Sequence, residues 1–238
     1  MAGHPAESWA FVDSRSVGPG EVSPALDKVG RMVRSRDPVT ATELIAELER
    51  RRVEDPEYRA ALEAREAERV ERTRRSRQAE GPILADLAEA GIEVGTVWNL
   101  YRVPDAFPRA IPILLSHLRR DYPDRVLEGV GCALATKAAR EWWPDLKQLY
   151  LQTEHPVVRD CLAAALSEVA VRQHYDDLLS FVGDVRLGET RIYFLRDINR
   201  IGNRLAPGTG RAVIESLADD PVLGKEATAI LKGRGRND

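Results

Sequence analysis

Residues 154–169 read Glu-His-Pro-Val-Val-Arg-Asp-Cys-Leu-Ala-Ala-Ala-Leu-Ser-Glu-Val. A proline turn opens the stretch, an arginine follows, and small and branched apolar residues complete it. Proline suits the first turn of a helix, where its fixed φ helps and its missing N–H leaves nothing unpaired. Cys161, Leu162, Ala165, Leu166 and Val169 recur at helical spacing, so one face of that helix is apolar. The same opening stands at Asp121-Tyr122-Pro123-Asp124 and at Asp219-Asp220-Pro221-Val222. Pro123 and Pro156 lie 33 residues apart, and Pro156 and Pro221 lie 65 apart, close to two periods. The missing middle turn falls near Arg186-Leu187-Gly188, where Gly188 takes the place of proline.

A basic residue follows each turn: Arg125, Arg159, Arg191 and Lys225, separated by 34, 32 and 34 positions. The segments before the turns also correspond. Pro112-Ile113-Leu114 is answered 32 residues later by Pro144-Asp145-Leu146, and Leu146 by Leu178 after another 32. The unit is helix, tight turn, helix. A lone two-helix unit cannot cover its own apolar face, so such units bury a core only by stacking on neighbours. The pattern predicts an all-α fold, an α-solenoid of four helix pairs from Asp105 onward, with an imperfect capping pair over 82–102. Gly202-Asn203 and Pro207-Gly208-Thr209-Gly210 are expected to lengthen the connection between the third and fourth pairs.

The proline turn, the following arginine and the small-apolar second helix resemble the HEAT-repeat family in its bacterial short-repeat form, over residues 82–232. The resemblance implies a curved scaffold that binds partners. A minority of HEAT-like proteins act on nucleic acid, including the alkylpurine DNA glycosylases, so fold alone does not fix function.

Before Pro82 the composition changes. Residues 1–38, with Gly18, Pro19, Gly20, Pro24, Gly30 and Pro38, show no apolar period and are expected to form a disordered tail. Residues 39–81 are expected to form a charged helical extension. Thr40 or Thr42 caps a short helix through Leu44, Ile45 and Leu48, and Asp55-Pro56 starts another. From Glu57 to Glu80 the chain carries six acids and seven arginines, many at i,i+3 and i,i+4 spacing. Its few apolar residues predict a solvated helix. The repeat domain then spans 82–238.

Charge and motif content narrow the function. The net charge is −3, and residues 82–238 hold 20 basic against 22 acidic residues. Phosphate binding needs a local cation surplus, which this chain can reach only by segregating its charges. No stretch has the apolar length of a membrane span, and the first residues lack a basic stretch followed by an apolar one. A cytoplasmic protein with no membrane partner is expected. Cys132 and Cys161 lie in apolar helical patterns and are expected to be buried thiols. His4, His117, His155 and His174 are scattered without metal-ligand spacing. No phosphate-loop, nucleophile or cofactor signature is present, so a non-catalytic protein with no cofactor is expected.

Candidate partner-binding residues remain. Arg125, Arg159, Arg191 and Lys225 either line a groove or pair with acids of neighbouring repeats. Tyr193, Arg196 and Arg200, at i, i+3 and i+7, form a stripe opposite the Phe194, Leu195, Ile198 and Ile201 face. Trp142 and Trp143 cannot face the same way, so one packs and the other is partly open. The expected activity is a protein–protein interaction scaffold, with a DNA- or RNA-binding HEAT-like protein as the alternative.

Overall fold

The computed structural model describes residues 40–233; the tail expected over 1–38 lies outside the described residues. The described residues hold eleven α-helices, five 3-10 segments and no strand. The fold is all-α.

The chain divides into two compact units, Met1–Val70 and Glu71–Asp238. In the first, helix α1 (Ala41–Glu54) starts on Thr40, whose hydroxyl accepts from Glu43 N while the Glu43 carboxylate accepts from Thr40 N. This reciprocal capping box satisfies two orphan N–H groups at the helix start. Helix α1 buries no residue. Helix α2 (Pro56–Ala79) begins on Asp55, whose Oδ1 accepts from Tyr58 N at 2.9 Å. Its surface is held by pairs such as Arg69–Glu66 at 2.6 Å. The division falls inside α2 rather than at Gly81-Pro82. The reason lies at the helix end: Ser76 is buried, and buried Glu80 accepts from Val97 N at 3.2 Å. The last turns of α2 thus belong to the core that follows.

In the second unit, α3 (Gly81–Glu89) leads to a 3-10 helix, Val97–Arg102. Four successive pairs of α-helices come next. They are α4 (Phe107–His117) with α5 (Asp124–Leu134), α6 (Trp143–Gln152) with α7 (Pro156–Val169), α8 (Tyr175–Gly183) with α9 (Leu195–Leu205), and α10 (Thr209–Ser216) with α11 (Gly224–Leu231). The two helices of each pair touch, and α5 also packs on α7. Prolines 82, 108, 144 and 156 stand in the first turns of α3, α4, α6 and α7. Gly188 has a φ of 60°, a left-handed value that a side chain resists, and it kinks the 3-10 run Val185–Phe194. Glycine thus supplies a turn of different geometry where the other pairs use proline.

The core is one apolar cluster from Ile83 to Ala227. At its centre Tyr150, Phe181 and Phe194 meet with ring centroids 5.1–5.6 Å apart, joining α6 to the third pair. Polar contacts between pairs span nearly one sequence period. Trp143 Nε1–H donates to Asp177 Oδ2 at 2.8 Å over 34 residues, and the Tyr193 hydroxyl to Asp160 at 3.0 Å over 33. The buried Asp197 accepts from Ser167 Oγ at 2.6 Å over 30. Each contact therefore links a pair to its neighbour in sequence.

Two expectations are corrected. Gly202 and Asn203 do not lengthen a connection; they lie within α9. Gly202 instead lets α10 approach, since a Cβ there would stand 2.6 Å from Gly210 Cα and 2.6 Å from the Tyr175 hydroxyl. Cys132 is exposed, because it falls on the side of α5 opposite Val126, Leu127, Val130 and Leu134. Cys161 is half-buried.

The Tyr175 hydroxyl is buried with no hydrogen-bond partner among the described residues, whereas that of Tyr150 meets Thr190 Oγ1 at 2.9 Å. Removing an unpaired buried hydroxyl costs nothing, and removing a paired one leaves its partner unsatisfied. Tyr175→Phe is therefore expected to hold or raise the melting temperature, and Tyr150→Phe to cost about 1 kcal/mol. Gly210→Ala, whose Cβ would meet Asn199 O at 2.3 Å, is expected to destabilise by about 1–3 kcal/mol. Thermal and urea melts check all three.

Candidate partner-binding surface

The basic residue after each turn does not build a cationic groove. Arg191 is 4% exposed. Its Nη1 donates to Val182 O in the last turn of α8 at 3.1 Å and to Asp220 at 3.3 Å, and its Nε to Gly188 O at 3.0 Å. Arg159 Nη2 donates to Thr153 O, the C-cap of α6, at 2.5 Å. The carbonyls that end a helix lack intrahelical donors and carry partial negative charge, so a guanidinium there satisfies both. Arg125 differs: it pairs with Glu128 at 3.1 Å and lies 4.2 Å over the Trp98 ring. Lys225 is exposed. Of these four, only Arg191 bonds an acid of the next pair.

Residues outside the ladder repeat the capping device. Arg109 Nη1 donates to Ala90 O, the C-cap of α3, at 2.8 Å. Arg200 Nη2 reaches Ala170 O, the C-cap of α7, at 3.5 Å, and Asp197 at 2.5 Å.

The Tyr193, Arg196 and Arg200 stripe is not uniformly open. Tyr193 precedes α9, in the 3-10 run, and is half-buried with its hydroxyl on Asp160. Arg196 is exposed and pairs with Glu226 at 2.9 Å. Trp142 is half-buried against the core, and Trp143 is buried. Trp143 stacks on His174 with centroids 3.7 Å apart, and its Asp177 partner also takes Lys147. Asp177 sits in the first turn of α8. The tryptophan–acid constellation here is a tie between pairs.

His117 has a similar role. Its side chain is fully buried between Asp86 Oδ2 at 2.8 Å and the Tyr122 hydroxyl at 2.7 Å. A carboxylate only accepts, so Nε2–H donates to Asp86 and Nδ1 accepts from Tyr122. Burial lowers the His117 pKa, opposed by its bond to Asp86 and aided by Arg120. Desolvation outweighs the bond to Asp86, and the neutral ring is preferred. Burial lowers His174 likewise. Among the described residues no group of three or more His, Cys, Asp and Glu could hold a metal ion, and no helix is long and apolar enough to cross a membrane.

No protein-family model matches the chain, and neither a curated protein nor a solved structure matches it significantly.

An exposed aromatic residue and an exposed arginine stand together elsewhere, at the 3-10 helix Val97–Arg102. Tyr101 is 66% exposed, and Arg102 folds back with its guanidinium carbon 5.5 Å from that ring. Trp98 is half-buried beneath Arg125 and seats against Gly129, where a Cβ would come within 2.8 Å of its Nε1. The second member of the capping pair expected over 82–102 is thus a 3-10 helix and not an α-helix. Gly95 and Pro104 bound the segment and keep it short.

Two outcomes test these assignments. Arg191→Met strands the Val182 and Gly188 carbonyls and the Asp220 carboxylate, and is expected to cost about 3 kcal/mol, whereas exposed Arg196→Ala costs at most about 1. Urea unfolding reads both. A lowered imidazole pKa means that the unfolded chain binds the proton first as pH falls through about 6.5. Stability is expected to decline from pH 7.5 toward pH 5.5, about the ordinary histidine value, and His117→Gln to flatten part of that decline in thermal melts.

Proposed function

We propose that residues 82–232 form a HEAT-like α-solenoid that serves as a non-catalytic protein–protein interaction scaffold. The observation that carries the reading is the nearest-neighbour construction. Four helix pairs follow in sequence, and their polar ties join residues 29–34 positions apart. Such a design gives an extended surface in proportion to its length. Trp, Tyr and Arg, the residue types enriched at binding hot spots, stand together at its N-terminal end.

The residues that the nucleic-acid and glycosylase alternatives rely on are engaged within the chain. Arg125, Arg159, Arg191, Arg196 and Arg200, which that alternative needs as a free cationic cluster, all bond carbonyls or carboxylates of the chain itself. Trp143 and Asp177 satisfy each other.

The test is crosslinking affinity purification of the full-length protein from nuclease-treated extract, against an unrelated acidic bait. Enrichment of a defined protein that survives nuclease treatment is expected. Enrichment of nothing, or capture that disappears with nuclease, overturns the proposal.

A further inference from the structure

The chain holds two cysteines, Cys132 and Cys161, 29 positions apart. Cys132 lies on α5 and Cys161 on α7, and these two helices pack on each other. Packed helix axes ordinarily stand about 8–10 Å apart, held off by their side chains. Gly131 removes that spacer: a Cβ on it would stand 2.5 Å from Cys161 Sγ and 3.3 Å from Cys161 Cα. One further bond length of about 1.5 Å puts the Gly131 and Cys161 Cα atoms within about 5 Å of each other. That is inside the roughly 4.4–6.8 Å between Cα atoms that a disulfide spans. Cys132 is the next residue, on the rim of this contact. It is exposed, whereas Cys161 is half-buried with its Sγ 3.9 Å from Leu127 O. A shared neighbour also places the sulfurs together. Glu128, one turn before Cys132 on α5, raises both thiols, and Cys132 itself raises that of Cys161.

We propose that Cys132 and Cys161 are a modification site, a thiol pair that a hydroperoxide converts into an intramolecular disulfide. Cys132 Sγ, as the thiolate, attacks one peroxide oxygen. The O–O bond breaks, the sulfur keeps that oxygen as a sulfenic acid, and the other oxygen leaves as hydroxide and takes a proton to become water. Cys161 Sγ then attacks Cys132 Sγ. The S–S bond forms, the S–O bond breaks, and the hydroxyl leaves as a second water with the Cys161 proton. Exposure sets this order, because the oxidant reaches Cys132 first. Desolvation is the main force raising both thiols. At Cys132 Glu128 adds to it and Arg125 opposes it; at Cys161 Cys132, Asp160 and Glu128 add to it and push the thiol up to about 12. Little thiolate is therefore present near neutral pH, and the pair reacts slowly there and faster as pH rises. The bond would close the loop that carries α6 and fasten the first helix pair to the second.

Mass spectrometry of the full-length protein tests the site. The reduced protein is treated with hydrogen peroxide, remaining thiols are alkylated, and the intact mass is read. The expected product is a monomer about 2 Da lighter with neither cysteine alkylated, and dithiothreitol restores both thiols. Digestion is expected to release a peptide pair joined through Cys132 and Cys161. The rate is expected to rise about tenfold from pH 7 to pH 8, as the thiolate fraction does. Cys161→Ser is expected to stop at a Cys132 sulfenic acid that dimedone traps. Cys132→Ser is expected to leave Cys161 reduced and open to alkylation after denaturation. Thermal melts of both reduced variants check that the fold is kept. Disulfide-linked dimers, a sulfinic acid on Cys132 beside a reduced Cys161, or two alkylated cysteines after a dose that oxidises free cysteine overturns the proposal. Partner capture from extract bears on the scaffold reading alone, so either idea can fail while the other stands.

Discussion

Short helices end often, and every end leaves polar backbone groups that need partners. The helices of the second unit run from 8 to 14 residues after α2, below the length at which an isolated helix holds itself in water. Their persistence depends on two things: a shared apolar core, and donors placed at their C-terminal carbonyls. Arginines supply those donors at α3, α6, α7 and α8, from Arg109, Arg159, Arg200 and Arg191. In each case the charge arrives from a residue outside the helix it caps. One side chain thus sets where a neighbour stops and how the two elements lie together.

This use of arginine shapes what the surface can do. Cations engaged with carbonyls and carboxylates contribute little to a long-range field, and the chain as a whole is slightly acidic. Recognition then falls to local chemistry. At the short 3-10 segment before the four pairs, Val97 and Leu100 point inward, and Tyr101 and Arg102 are exposed.

Much of the architecture was legible in the residues. The proline turns and the apolar period marked the helix pairs, and Thr40, Asp55 and the first-turn prolines marked the starts. The all-α class followed from them. Other features depended on contacts that spacing does not encode. The arginine ladder was visible as a register, but its bonding was not, because a carbonyl acceptor leaves no mark in the amino-acid sequence. Gly202 read as a break, since a glycine used for close helix approach looks the same as one used for a turn. The open character of Cys132 follows once the inner face of α5 is fixed by Val126, Val130 and Leu134. The 3-10 geometry of Val97–Arg102 was missed because six residues are too few to separate a period of 3.0 from one of 3.6.

The ties between pairs join residues about one period apart, and this bears on how the chain can change. A tie such as Tyr193 to Asp160 or Arg196 to Glu226 needs only the adjoining unit in place. Duplicating or excising one whole unit by recombination would preserve the partners of most others. A cut of a few residues within a unit would break the match on both sides.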